Sequence, residues 1–312
     1  MTRFYDCNFG GMSKYNKLYH ALLTDKWSVH PAMISKYTSV LDTFLNRAPV
    51  AFEKDSEKEE EASIISFYDE YGDRIKTDYR EIPNQECVAS IEVVGTILKY
   101  STMSTYGADY LISAIRSVLY QPSVKGIVLQ VDSGGGAVSA MGPWTELLTK
   151  ADKPIVTLAD SCYSAAYWIA AHSDFIIADN NISSGFGSIG VMLEFADIRG
   201  YYEKEGAKIH TIYSNLSSYK NKEYEEALKG NYELIKSQSL DPLAEKFQKA
   251  VVFQRGGKVN TQIEGIIEGA TFYAEEAQEH GLIDQIGTMA DAIAAVHRIA
   301  SDGQKAAFRS IV

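Results

Sequence analysis

The chain has 312 residues, 46% hydrophobic and 23% charged. That is ordinary for a globular protein and enough to bury the core of one large or two modest domains. Lysine and arginine total 30 against 41 acidic residues, a net charge of −11. This balance argues against a general nucleic-acid binder and against strong attraction to anionic membranes, while leaving room for a local basic groove. Cys7, Cys87 and Cys162 are widely spaced and odd in number; they match neither a disulfide framework nor a metal pattern and read as free thiols. No window approaches the roughly 18 apolar residues of a membrane span, and residues 1–23 lack an apolar run of signal-peptide length. The expectation is a soluble, cytoplasmic protein.

In chain order, residues 1–50 read as an N-terminal helical extension. Pro31 can start a helix, and Ile34, Tyr37, Leu41, Phe44 and Leu45 follow at helical spacing. Glu53 to Glu61 (EKDSEKEEE) is a solvated charge run, and the polar composition continues to Asn84, so 51–85 reads as a linker. A β-branched strand pattern over Val88–Ile97 opens the main domain, 86–300, and residues 301–312 form a tail. Leu111, Ile112, Ile115 and Val118 then recur at helical spacing. Gly126–Val131 is a short apolar run of the buried-parallel kind; it ends in Asp132-Ser133-Gly134-Gly135-Gly136, with a helix following to Lys150. Ile155–Ala159 and Phe175–Ala178 are further buried strands, and the three runs end alike, in Val131-Asp132, Ala159-Asp160 and Ala178-Asp179. Successive strand–turn–helix units with their carboxyl ends along one edge give an α/β architecture, and that edge is where such sheets build sites. Lys208–Tyr213 alternates like a strand. Asp241-Pro242 opens a helix bearing Leu243, Phe247 and Val251. Helices are also expected over Ala274–His280, stopped by Gly281, and around Ala290–Ile299.

Ser164 stands where the strand Ile155–Ala159 and its small polar turn give way to the apolar, small-residue segment Ala165–Ala171. A serine there either caps a helix, as serines often do, or offers its hydroxyl beside unpaired N–H groups that favour developing negative charge. Gly134–Gly136 fit neither the dinucleotide nor the Walker pattern. They read as a turn or as backbone whose N–H groups could hold an oxyanion. None of the six histidines stands in a recognisable triad context. His172, eight residues past Ser164, would lie about 12 Å away along a shared helix. A lysine can serve as base when burial keeps its amine neutral, but Lys220 and Lys222 alone are two among many. Cys162 is a second conceivable nucleophile and more often a small buried hydrophobe.

Over residues 88–297 the chain resembles the signal peptide peptidase A family of serine peptidases, which includes phage head-maturation proteases of the minor capsid protein C type. The likeness rests on motifs in order. They are Asp132-Ser133-Gly134-Gly135-Gly136, Ser164-Ala165-Ala166-Tyr167-Trp168-Ile169-Ala170, Gly187-Ser188-Ile189-Gly190-Val191, Ser217-Ser218-Tyr219-Lys220, and Ala277, Gly281, Leu282 and Asp284. The resemblance implies Ser164 as nucleophile, Lys220 as general base and Ser188 as the hydroxyl orienting the amine. It assigns the oxyanion hole to Gly136 and the Ala165 N–H. Lys222 is the rival base, and Cys162 does not occupy the nucleophile position. Gly134 departs from the family's proline, and Ala165 and Ala166 from its two glycines; alanine keeps the N–H donor. The resemblance further implies a Clp protease/crotonase-like fold, assembly into a homo-oligomeric ring or dome, no cofactor or metal, and a peptide or protein substrate. A phage member would act on capsid or scaffold proteins and be associated with the prohead or virion. A crotonase-type acyl-CoA enzyme and a catalytically silent capsid-assembly protein are the alternatives.

Overall fold

The computed structural model describes residues 27–29, 64–77, 81–102, 105–195 and 197–302. The helical stripe expected within 1–50 and the EKDSEKEEE run lie outside them. The strands are β1 (Trp27–Val29), β2 (Ile65–Tyr68), β3 (Arg74–Ile75) and β4 (Cys87–Val94), followed by helix α1 (Ala108–Leu119), β5 (Val124–Ser133) and β6 (Gly135–Ala137). Helix α2 (Met141–Lys150), β7 (Ile155–Tyr163), α3 (Ala165–Ala171), β8 (Phe175–Ala178), β9 (Gly185–Gly187) and α4 (Arg199–Lys204) come next. Then come α5 (Lys222–Leu228), α6 (Glu233–Ile235), a π-helical turn (Lys236–Leu240), α7 (Asp241–Gln254), β10 (Thr271–Tyr273), α8 (Ala274–Glu279), β11 (Gln285–Ile286) and α9 (Met289–Ser301).

The expected α/β architecture of strand–helix units is present. The main sheet runs β10-β9-β7-β5-β4-β2-β3, and β8, with β11 beside it, also pairs with β7. Neighbours β4, β5, β7 and β8 are parallel, as crossover helices between successive strands require. Both faces are buried, and the strand period of two sorts the side chains. Val88, Val128, Val156 and Ile177 face a cluster with Ile293 and Val296 of α9. Ala89, Ile127, Leu129 and Ile155 join the larger core with α1, α2 and α3. Gly126 has no room for a side chain: a Cβ would lie 2.6 Å from Val296 Cγ1 and from the Pro154 carbonyl oxygen.

Three segments differ from the expectations. Within the polar stretch read as linker, β2 pairs antiparallel with β4 and with β3, because Ile64 and Phe67 give that stretch an apolar face for the core. Lys208–Tyr213 forms no strand; it runs exposed, with no ladder partner, and alternation without a sheet edge to join does not make one. Asp241 lies inside α7 rather than capping it, since the π-helical turn leads straight into that helix, and Pro242 takes the first turn. The terminal helix α9 begins on a capping box in which Thr288 and Asp291 satisfy each other's backbone N–H groups.

Candidate active site

Strand β7 delivers Ser164 to the mouth of α3. Its N–H donates to the Gly187 carbonyl at 2.8 Å, and its own carbonyl accepts the first helical bond, from the Trp168 N–H at 2.9 Å. Ser164 occupies the N-cap position, yet its hydroxyl caps no backbone N–H, and its backbone sits at φ 56°, ψ −119°. An L-residue is strained there, and such strain persists only where the surroundings enforce it. The surroundings do enforce it. All seven residues of α3 are buried, the Tyr167 hydroxyl donates to the Leu282 carbonyl at 2.7 Å, and Trp168 stacks on Phe247 of α7 at 4.4 Å. The bland reading of Ser164 as a helix cap is thereby removed.

Ser188 comes to the same place from the next strand. β9 pairs parallel with the last turn of β7, Ser161 to Gly185 and Tyr163 to Gly187, so Ser164 and Ser188 are the residues that leave two paired strands. Ser188 has φ 54°, and its N–H donates to the Ala270 carbonyl at 2.8 Å. Gly185 lies against Tyr163, whose hydroxyl a Cβ would meet at 1.9 Å, so a side chain there would displace the Tyr163 ring.

The glycine loop forms the opposite wall. The Ser133 hydroxyl, fully buried, donates to the Gly95 carbonyl at 2.5 Å and accepts the Gly135 N–H at 3.1 Å. Positive φ falls on Gly135, at 104°, and not on Gly134, so the departure at 134 leaves the left-handed turn where glycine still stands. Gly136 is squeezed against Ile97, whose carbonyl oxygen a Cβ would approach to 2.0 Å. The strand β6 packs on α3, whose first N–H groups, from Ala165 on, have no intrahelical acceptor.

Lys220 stands apart. It lies in the turn Ser217–Asn221, exposed, with its N–H donating to the Ser217 carbonyl at 3.1 Å. Among the described residues its Nζ hydrogen-bonds neither Ser164 nor Ser188. Lys222 Nζ rests 4.3 Å from the centre of the Tyr219 ring, a cation–π contact that occupies the rival base. Cys162 is completely buried, and burial pushes its thiol strongly up, so it is not a thiolate. His172 caps α3 at its far end, with Nδ1 2.8 Å from the Trp168 carbonyl oxygen, and burial holds its pKa down; it is a packing residue.

Among the described residues, three that are not glycine have positive φ: Ser164, Ser188 and Asn221. Two are the serines singled out by the motifs, and the third directly follows Lys220.

Residues 148–301 match the peptidase family S49. Residues 148–301 are a peptidase S49 domain. The chain is 27% identical to Protease 4 of Haemophilus influenzae over 254 residues, 79% of this chain and 40% of that one. It is 28% identical to the chloroplastic serine protease SPPA of Arabidopsis thaliana over 215 residues, 66% of this chain and 31% of that one. To capsid assembly protease C of Escherichia phage lambda it is 27% identical over 229 residues, 70% of this chain and 50% of that one. The chain therefore spans half or less of the length of each of these relatives.

The S49 domain also holds a charged cluster whose role the sequence did not disclose. Asp284, quoted above only as part of a closing motif, accepts two bonds from the Arg255 guanidinium, at 2.9 and 3.0 Å, one from Lys258 Nζ at 2.6 Å and the Ile176 N–H at 2.8 Å. Arg255 also donates to the Gly281 carbonyl and is 3% exposed. Burial alone would raise the Asp284 pKa; the Arg255 bonds and charge, with Lys258 and the Ile176 N–H, outweigh it and hold the carboxyl below its ordinary value. This bridge ties α7 and the α8–β11 turn to β8, fixing the wall against which Trp168 and Tyr167 pack. Arg255 itself sits in no motif, and only its place one turn past Val251 on α7 hinted at burial.

Proposed function

We propose that the chain is a serine endopeptidase working through an acyl-enzyme, with Ser164 as nucleophile and Lys220 as base. The Ser164 Oγ attacks the peptide carbonyl carbon as the Lys220 amine takes its proton. The Gly136 and Ala165 N–H groups hold the oxyanion, and the protonated lysine gives its proton to the departing amine. Water then attacks the ester by the same route and releases the acid. Ser188 orients the lysine amine. The observation that carries this reading is the strained backbone of Ser164, held at a strand–helix junction with Ser188 leaving the adjacent strand. Nucleophiles in other hydrolases are presented on the same kind of strained turn.

Lys220 is exposed on its turn, and a second copy of the chain laid over the segment that carries it would enclose the amine with the site. Ile212 and Leu216, 91% and 96% exposed, and Tyr219 lie on that segment, which supports a homo-oligomer such as the ring or dome expected above. The named lambda relative supports a peptide-bond substrate in a capsid or scaffold protein and a place in the prohead. Among the described residues no helix is long and apolar enough to cross a membrane.

A fluorophosphonate probe should label the wild type and not Ser164→Ala, and Lys220→Ala should lose turnover of a peptide substrate. Equal labelling of Ser164→Ala, or unchanged turnover in Lys220→Ala, would refute the assignment. The exposure of Lys220 also fits a silent assembly protein; that reading predicts no labelling of the wild type at any protein concentration.

A further inference from the structure

Among the described residues the strand β6 belongs to a small two-stranded sheet, in which its partner is β1. The pairing is antiparallel, with Trp27 opposite Ala137, Ser28 opposite Gly136 and Val29 opposite Gly135. On the other side of β6, the Gly135 carbonyl accepts the Ile97 N–H at 3.0 Å and the Ala137 N–H donates to the Ile97 carbonyl at 2.8 Å. Backbone groups alternate sides along a strand, so the N–H and C=O of Gly136 point away from Ile97, toward β1. Ser28 and Gly136 are then the hydrogen-bonded pair of this ladder, and the Ser28 carbonyl faces the Gly136 N–H. That N–H is the donor assigned above to the oxyanion. Gly135 and Gly136 add no side chains to the edge, so what it offers a partner is main chain, readable by any extended segment with a free N–H at the paired position. Ser164 meanwhile is 1% exposed.

We propose that the outer edge of Gly135–Ala137 receives an extended polypeptide in antiparallel register, and that the chain's own Trp27–Val29 occupies this edge in cis, in competition with substrate. The proposal rests on the serine peptidase reading for the meaning of the competition, but not for the binding itself. The occupant resembles a substrate in placing a peptide carbonyl on the oxyanion donor, and it silences the site until it is displaced.

The test uses the full chain. Ser28→Pro removes the N–H that pairs with the Gly136 carbonyl, whereas Ser28→Ala keeps it. Loss of that one backbone bond sets the scale of the effect at about ten-fold. Fluorophosphonate labelling of Ser164 should be on the order of ten-fold faster in Ser28→Pro and unchanged in Ser28→Ala. A fluorescein-labelled peptide of residues 23–33, followed by anisotropy, should bind Ser28→Pro about ten-fold more tightly than wild type and slow its labelling back. Equal peptide affinity for the two proteins overturns the proposal, whether or not either is labelled. Tighter binding with no labelling of any variant keeps the peptide edge and instead sinks the peptidase reading. Should Ser28→Pro not fold, hydrogen exchange on the wild type decides. A slow Gly136 amide that added peptide leaves slow, beside Trp27–Val29 amides that added peptide sets free, supports the cis occupant; a freely exchanging Gly136 amide refutes it.

Discussion

The two ends of the proposed dyad are built in opposite ways. Ser164 stands in a buried frame, with its backbone bonded on both sides, α3 packed through Tyr167 and Trp168, and the wall behind it tied by Arg255 and Asp284. Lys220 stands on an exposed turn after some twenty residues that carry solvent-facing apolar side chains and no ladder. On the proposed reading one chain frames the serine by itself, whereas the lysine needs a covering surface. Catalytic power would then depend on association, and stability on the frame alone.

Experiments can break that contrast. The largest effect expected is on turnover: Ser164→Ala and Lys220→Ala should each lose on the order of 10⁴-fold in kcat, and the double variant little more, since the groups act as one unit. Additive losses would separate them. In stability the two ends should part company. Asp284→Ala leaves the Arg255 guanidinium buried without its carboxylate and should cost about 3–5 kcal/mol in urea unfolding, while Lys220→Ala should stay within about 0.5 kcal/mol of wild type. A large loss from the lysine change would mean that it, too, belongs to the frame. Ile212→Ser with Leu216→Ser should leave the melting temperature of the monomer unchanged and shift sedimentation toward smaller species, with turnover falling in parallel. Unchanged assembly would remove this segment from the interface.

Acid should act on the frame in two stages. Burial depresses the His172 pKa, only partly opposed by its bond to the Trp168 carbonyl. The unfolded chain therefore takes up that proton first, and stability begins to fall below about pH 6.5. Asp284 is depressed by its partners, so its contribution is full above about pH 4 and is lost as pH falls through the folded value. Urea midpoints across this range check both. Replacing His172 by glutamine should abolish the first stage and spare the second.

Much of this frame was legible in the chain. The parallel strands, α3 and the turn that carries Ser164 followed from apolar runs of strand length ending in Asp and small residues. The motif order singled out Ser164 and Ser188, the two serines whose backbones proved to have positive φ. What escaped was of two kinds. Ile64 and Phe67 form too short an apolar signal to stand out of a polar stretch, and β2 exists because β4 has an edge for it to join. Arg255 and Asp284 lie 29 residues apart, and a charge pair buried by tertiary packing has no local periodicity. The pairing of Trp27–Val29 with the glycine loop is of the same distant kind. Lys208–Tyr213 shows the reverse error, a local alternation with nothing to pair to.

The backbone angle at Ser164 has a consequence for how such a chain can change over generations. Glycine adopts φ 56°, ψ −119° without penalty, so Ser164→Gly should fold with about 1 kcal/mol more stability than the wild type while losing the hydroxyl. A lineage released from the need to cut peptides would find this substitution favourable rather than neutral. A serine retained at 164 is thus held against a standing thermodynamic drift toward a more stable, inert descendant.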